Sequence, residues 1–167
     1  MASGAADLIW QLWNAGEVID KLPEDLRPKT RGHGYAIQAE LAALSRKPIF
    51  GWKIAATSSA GQQHIGVTGP IAGRLLAERS YQDGAELLFG DNRMRVAEPE
   101  FAFRFGRSLG PTDEPYSVHE VLDAVSSLHP AIEIPDSRFE DFASAGEAQL
   151  IADNACSHEF VIGPAAE

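Results

Sequence analysis

The sequence predicts a mixed fold of helices and short strands, α+β or α/β in class. Two observations carry this. Apolar residues recur at helical spacing within the first 45 residues and again after Ser117. Short segments at 50–55, 95–105, 131–134 and 159–162 instead have the length or alternation of strands, so helices and strands intersperse along the chain. The 167 residues suffice for one domain with a hydrophobic core, and 44% hydrophobic with 23% charged residues is a globular composition.

Ala5 to Gly16 carries Leu8, Ile9, Leu12 and Trp13 at helical spacing and reads as an amphipathic helix. Pro23 and Pro28 punctuate an extended connection. A second helix is expected from about His33 to Ser45, with Ile37, Leu41 and Leu44 on one stripe. Phe50 to Ala55 reads as a strand, in which Lys53 faces away from Trp52 and Ile54. Gly61 to Gly73, broken at Pro70, reads as loops around a short element. Arg95 to Phe105 alternates and is expected to be a strand. Ser117 and Glu120 have capping-box spacing, and Val118, Val121, Leu122, Val125 and Leu128 then form a helical stripe. Pro130 is expected to stop that helix, and Ala131 to Ile134 to form a strand bounded by Pro135. Glu147 to Ala155 reads as a short helix or turn, and Glu159 to Ile162 as a final short strand.

Composition narrows the function classes. A formal charge of −10 argues against nucleic-acid binding, whose affinity rests on Lys and Arg against phosphates. No apolar run is long enough to cross a bilayer, and no membrane partner is expected. Met1 to Gly4 lack a basic start and an apolar run, so no signal peptide is expected. The single cysteine, Cys156, rules out an internal disulfide framework and fits a reducing cytoplasmic location.

The chemistry concentrates in carboxylates. In a strand, Glu98 and Glu100 share one face and Phe101, Phe103 and Phe105 point the other way, toward an expected core. Pro99 between the two glutamates marks an edge or a bulge. Taken alone, this pair is better accounted for by a solvated polar face. Glu133 differs, because it stands between Ile132 and Ile134 in a short apolar strand, where a buried charge needs a partner. Its partner is either a cation shared with Glu98 and Glu100 or a basic residue such as Arg138 or Arg104. Two carboxylates at 4 Å repel by roughly 4 kcal/mol at an effective dielectric near 20, so convergence of all three requires a proton or a metal. Oxygen ligation alone suits Mg²⁺ or Mn²⁺.

Four ordered segments then resemble a known family. Gly51-Trp52-Lys53-Ile54-Ala55-Ala56-Thr57-Ser58 is similar to the Gly-(Tyr/Trp)-Lys-Ile-Gly-x-Thr-Ser strand of the 2-keto-4-pentenoate hydratases. Glu98-Pro99-Glu100-Phe101-Ala102-Phe103 resembles their Glu-x-Glu-(Ile/Phe)-Ala-Phe. Pro130-Ala131-Ile132-Glu133-Ile134-Pro135-Asp136-Ser137-Arg138 resembles their Pro-Ala-x-Glu-Ile-x-Asp-Ser-Arg. Ile151-Ala152-Asp153-Asn154-Ala155 resembles their Ala-Asp-Asn-Ala-Ser. The family lies within the fumarylacetoacetate-hydrolase-like superfamily of enzymes acting on 2-oxo acids.

The resemblance implies an α+β fold, a mixed β-roll with N-terminal helices. It implies one domain over 1–167, helical over 1–47 and a partial roll over 48–167. It assigns Glu98, Glu100 and Glu133 as ligands of Mg²⁺ or Mn²⁺, and Lys53 as the catalytic lysine, desolvated by Trp52 and shuttling protons. Ser137, Arg138 and Asn154 become candidates for substrate binding. The implied activity is hydration of 2-hydroxypenta-2,4-dienoate-type acids in aromatic catabolism. Alternatives are decarboxylation of an oxalocrotonate-type 2-oxo acid, or a truncated, non-catalytic subunit or binding module.

Two departures stand out. Pro70-Ile71-Ala72-Gly73 occupies the place of the hydratases' Pro-Asp-(Phe/Tyr)-Gly, so the family's aspartate has no counterpart. The family also continues past the segment matching Phe160 to Pro164. The roll is therefore expected to be incomplete, with its open sheet covered in a homo-oligomer or by a partner chain. The five histidines are scattered without metal spacing, and Cys156 beside His158 is expected to be inert.

Overall fold

The computed structural model describes residues 4–88, 90 and 92–166, so Met1 to Ser3, on which the signal-peptide expectation falls, lie outside the described residues. Helices α1 (Gly4–Ala15) and α2 (Arg31–Leu44) lie where their apolar spacing predicts. Ile9, Trp13, Ile37 and Leu41 from these helices pack with Leu22, Leu76 and Phe139 into one core cluster. Thr30 caps α2 by accepting a hydrogen bond from the His33 N–H. At Gly34 a Cβ would strike the Ala148 carbonyl, so glycine is what lets α2 approach the later helix α5 (Glu147–Ala152). Gln38, fully buried, donates to the carbonyls of Ala72 and Ile151 and ties α2 to both neighbours.

Two sheets follow. Strand β1 (Ile49–Ala55), the short helix α3 (Ser59–His64) and β2 (Ile71–Leu76) form an antiparallel pair with its connection. Residues 71–73, expected to lie in a loop, thus open a strand that runs on to Leu76. The second sheet has order β3-β6-β5-β4, from β3 (Ser80–Gln82), β4 (Glu98–Phe105), β5 (Val125–Ile134) and β6 (Glu159–Ile162). Leu75 of β2 packs against Ala131 and Phe160, joining the two sheets through a small core.

Helix α4 (Val118–Ala124) begins at the expected capping box, with Ser117 and Glu120 bonded reciprocally. It ends sooner than its stripe predicts. The chain turns extended at Val125, so Val125 and Leu128 lie in β5 rather than on a helix. Pro130 does not stop a helix but sits inside β5. Its missing donor is tolerated because β6 ends at Ile162, and Pro130 contributes its carbonyl to the Gly163 N–H.

The face of the four-stranded sheet turned toward β2 carries Glu98, Glu100, Ala102, Ala131 and Glu133. The other face carries Phe101, Phe103 and Ile132, and no described element covers it. Phe101 is 76% exposed and Phe103 52%, and Phe105 is also exposed, which corrects the expectation that these rings fill a core.

After α5 the backbone enters a left-handed turn, with φ of 57°, 52° and 59° at Asn154, Ala155 and Cys156. The turn presents Asn154 to β2, where its side chain accepts from the Arg74 N–H and donates to the Arg74 carbonyl. A Cβ at Gly73 would collide with the Asn154 carbonyl, so glycine there is required for the approach.

Candidate metal centre

Strand register assembles the carboxylates. Glu98 stands directly opposite Glu133 in the β4–β5 ladder, and Glu100, opposite Ala131, takes the diagonal position on the same face. One oxygen from each of the three side chains falls within 4.8 Å of the others. Pro99 lies between the two glutamates on β4, which is an edge strand as a proline there predicts.

Lys53 arrives from the other sheet. Its Nζ lies 3.1 Å from Glu133 Oε1, with both side chains almost completely buried. Charge attraction operates at this distance, but the angles are not those of a hydrogen bond, and Oε1 accepts none. Glu133 therefore pairs with Lys53, not with the Arg138 or Arg104 that the sequence offered. Trp52 does not bury Lys53. It lies on the opposite face of β1, 53% exposed, with the Arg74 guanidinium 4.5 Å from its ring centre.

The electrostatics follow from burial. Desolvation pushes the Glu133 carboxyl up to about 7, opposed by Lys53 and reinforced by Glu98 and Glu100. The Glu100 carboxyl is also raised, by desolvation first and then by Glu98. With all groups ionised, three carboxylates and one ammonium leave two negative charges in one place. A hard dication matches that charge and donor set, and the unsatisfied Glu133 oxygen has the property expected of a ligand atom.

The other expected site residues have different partners. Arg138 forms a buried ion pair with Asp153 and donates to the carbonyls of Asp153, Asp136 and Ser157. The Ser137 hydroxyl donates to Asp153 at 2.7 Å. Asn154 is consumed by the Arg74 backbone. All three are buried, so the structure uses them to fix the loop behind the sheet and not as free donors for a substrate. Asp153, fully buried at the hub of this network, is the residue that sequence reasoning passed over, although it stands in a quoted motif.

Residue 71 bears on the chemistry as well. Lys53 pairs with Gly73 and Ala55 with Ile71, so residue 71 neighbours Lys53 diagonally on the same face. Ile71 is 2% exposed there, where the resembling family carries an aspartate.

Of the five histidines, His129 is buried and His158 half-buried. His129 bonds Ser127 and the Gly163 carbonyl through its two ring nitrogens. His158 accepts from the Trp13 indole, and burial, aided by Arg79 and Arg138, lowers it to about 3. Cys156 is buried and its thiol is pushed up to about 12, so it is no nucleophile.

No protein-family model matches the chain. A 2-keto-4-pentenoate hydratase of Paraburkholderia xenovorans LB400 is 32% identical over 163 residues, 95% of this chain and 59% of that protein. A 4-oxalocrotonate decarboxylase of a Pseudomonas species is 36% identical over 113 residues, 68% of this chain and 43% of that protein. Among solved structures, 4-oxalocrotonate decarboxylase from Pseudomonas putida G7, complexed with magnesium and adipate, superposes with a TM-score of 0.81 at 27% identity. The match covers 98% of this chain and 62% of that one. The chain thus spans about three fifths of the length of such relatives.

Proposed function

We propose, for a chain that belongs with the 2-keto-4-pentenoate hydratase family along 95% of its length, that it contributes a divalent-metal site for the enolisation of small 2-oxo acids. Glu98, Glu100 and Glu133 hold Mg²⁺ or Mn²⁺. The carrying observation is the convergence of these carboxylates around a buried oxygen without a hydrogen bond, with Lys53 beside it. When bound, the cation supplies Lewis-acid stabilisation of the negative charge that develops on a 2-oxo acid. Lys53 holds or delivers a proton at Nζ, and Glu133, in contact with it, fixes where that nitrogen points. Burial of the pair keeps water from competing for that proton.

The primary activity in this reading is hydration of a 2-hydroxypenta-2,4-dienoate-type acid, in the cytoplasm and within aromatic catabolism. Decarboxylation of an oxalocrotonate-type acid is the second reading, and Ile71 favours it. A buried isoleucine beside Lys53 removes a carboxylate that would assist proton transfer to water. The fold is read as part of the family's mixed β-roll, as one domain with residues 1–47 as its helical part.

Ultraviolet absorbance of a 2-hydroxydienoate tests the activity. Decay that requires Mg²⁺ or Mn²⁺ and disappears in Glu100→Ala is expected. Released CO₂ distinguishes decarboxylation from hydration. A flat trace from folded, metal-saturated protein refutes both activities.

A further inference from the structure

We propose that Asn154 is a positioning residue for Lys53. It clamps the outer edge of β2 so that the lysine stem is held across Gly73 and the ammonium points at Glu133. This rests on the reading that Lys53 works beside the metal, and concerns what keeps it there.

Along the outer edge of β2, side chains stand where another strand would pair. The Ala72 N–H donates to the Tyr35 hydroxyl at 3.0 Å, and the Ala72 carbonyl accepts from Gln38 at 2.8 Å. Two residues on, the Arg74 N–H donates to Asn154 Oδ1 at 2.7 Å, and the Arg74 carbonyl accepts from Asn154 Nδ2 at 2.8 Å. Ala72 and Arg74 therefore turn their backbone polar groups away from β1. By the alternation of an antiparallel ladder, Gly73 turns its own toward Lys53, its partner in register. The pair that sets the lysine backbone is thus flanked on each side by a clamp from outside the ladder. The Asn154 amide does there what a peptide group of a neighbouring strand would do, since it supplies an acceptor and a donor together.

The Asn154 backbone acts on the same pair. The space where a side chain would stand at Gly73 is filled by the Asn154 carbonyl, and Lys53 Cγ lies 3.2 Å from that point. The lysine stem therefore runs over Gly73 alongside Asn154, and leaves its Nζ 3.1 Å from Glu133 Oε1. The turn that presents Asn154 is itself held in place. Asp153, which precedes it, is fully buried against Arg138, and the Ser157 N–H donates to the Asn154 carbonyl. Asparagine suits the position because it tolerates the left-handed conformation, here with φ of 57°, while its side chain makes both hydrogen bonds.

Heteronuclear NMR of isotope-labelled lysine in the metal-free full chain tests this. Lys21, Lys29 and Lys47 are exposed and their ammonium protons exchange rapidly with water, whereas the Lys53 side chain is only 9% exposed. One protected ammonium signal is expected, and Lys53→Met assigns it by removing it. Asn154→Gly keeps the left-handed turn free of strain but removes both hydrogen bonds to Arg74. It is expected to speed exchange of the Lys53 ammonium by about tenfold or more, with circular dichroism unchanged. Ile9→Val loosens the core around α1 instead and should leave that exchange as it is. Asn154→Asp retains the acceptor and loses the donor, so its rate should fall between those of the parent and Asn154→Gly. It carries the test alone if the glycine variant does not fold. A parent without a protected signal, an unchanged rate in the folded Asn154 variants, or an equal acceleration in Ile9→Val overturns the proposal. Loss of the fold in both Asn154 variants makes the residue structural alone and overturns it as well. Neither substrate nor metal enters the measurement. A failed absorbance assay beside an Asn154-dependent signal would therefore refute the activity and leave the positioning in place.

Discussion

Lys53 and Glu133 form a buried ion pair between the two sheets, 3.1 Å between Nζ and Oε1. Removing one member of such a pair leaves the other charge buried and alone, which typically destabilises by about 3–5 kcal/mol. Lys53→Met is therefore expected to lower the urea midpoint of the metal-free protein substantially. Lys53→Met combined with Glu133→Gln should recover part of that loss. Equal stability of the single variant and the parent would mean that the contact contributes nothing to the fold.

The raised Glu133 carboxyl makes stability depend on pH. Its folded value of about 7 lies above the ordinary value of 4.5, so the folded state binds this proton more tightly than the unfolded one. Below the ordinary value both states are protonated and no penalty exists. As pH rises toward 7 the unfolded state ionises first, and the metal-free fold loses about 3 kcal/mol, levelling above that. Urea unfolding at a series of pH values should show this decline, and Glu133→Gln should flatten it.

Metal binding should release a proton from the same group. A cation requires the carboxylate form, so Mg²⁺ affinity is expected to rise with pH and level off above about 7. Calorimetry at pH 6 in buffers of different ionisation enthalpy should register the proton, and at pH 8 should register almost none. Affinity that ignores pH over this interval would place Glu133 outside the metal site.

Arg138 and Asp153 predict a different signature. Arg138→Ala leaves a fully buried carboxylate without its partner and should destabilise by about 3–5 kcal/mol. Substrate saturation of whatever protein remains folded should change little, because Arg138 is committed to the loop. A large rise in KM with unchanged stability would return Arg138 to the role of a carboxylate receptor.

Cys156 should be silent toward an aromatic disulfide reagent in the folded protein and react fully in denaturant, since its thiol is buried and raised to about 12. Fast labelling under native conditions would contradict that placement.

Several of these features were legible in the sequence because they are local. The capping box at Ser117, the apolar stripes of α1 and α2, and the shared face of Glu98 and Glu100 depend on spacing alone. The strand at 71–76 was not legible, because a glycine needed for close approach to Asn154 looks like a loop signal. The end of α4 was hidden for a related reason. Val125 and Leu128 suit either period, and pairing with β4 decides between them. Phe101 and Phe103 misled because apolar alternation identifies a face without saying whether anything covers it. The partner of Glu133 could not be read at all, since Lys53 lies eighty residues earlier in another sheet.

The turn at 154–156 carries a further consequence. Three successive residues that are not glycine run with the left-handed twist, which burdens each L-residue by roughly 1–2 kcal/mol. The conformation is one that mirror-image amino acids adopt without strain. A semisynthetic chain with D-alanine at position 155 should consequently melt at a higher temperature than the natural one. The chirality of ordinary protein is here working against the very loop that packs on Gly73.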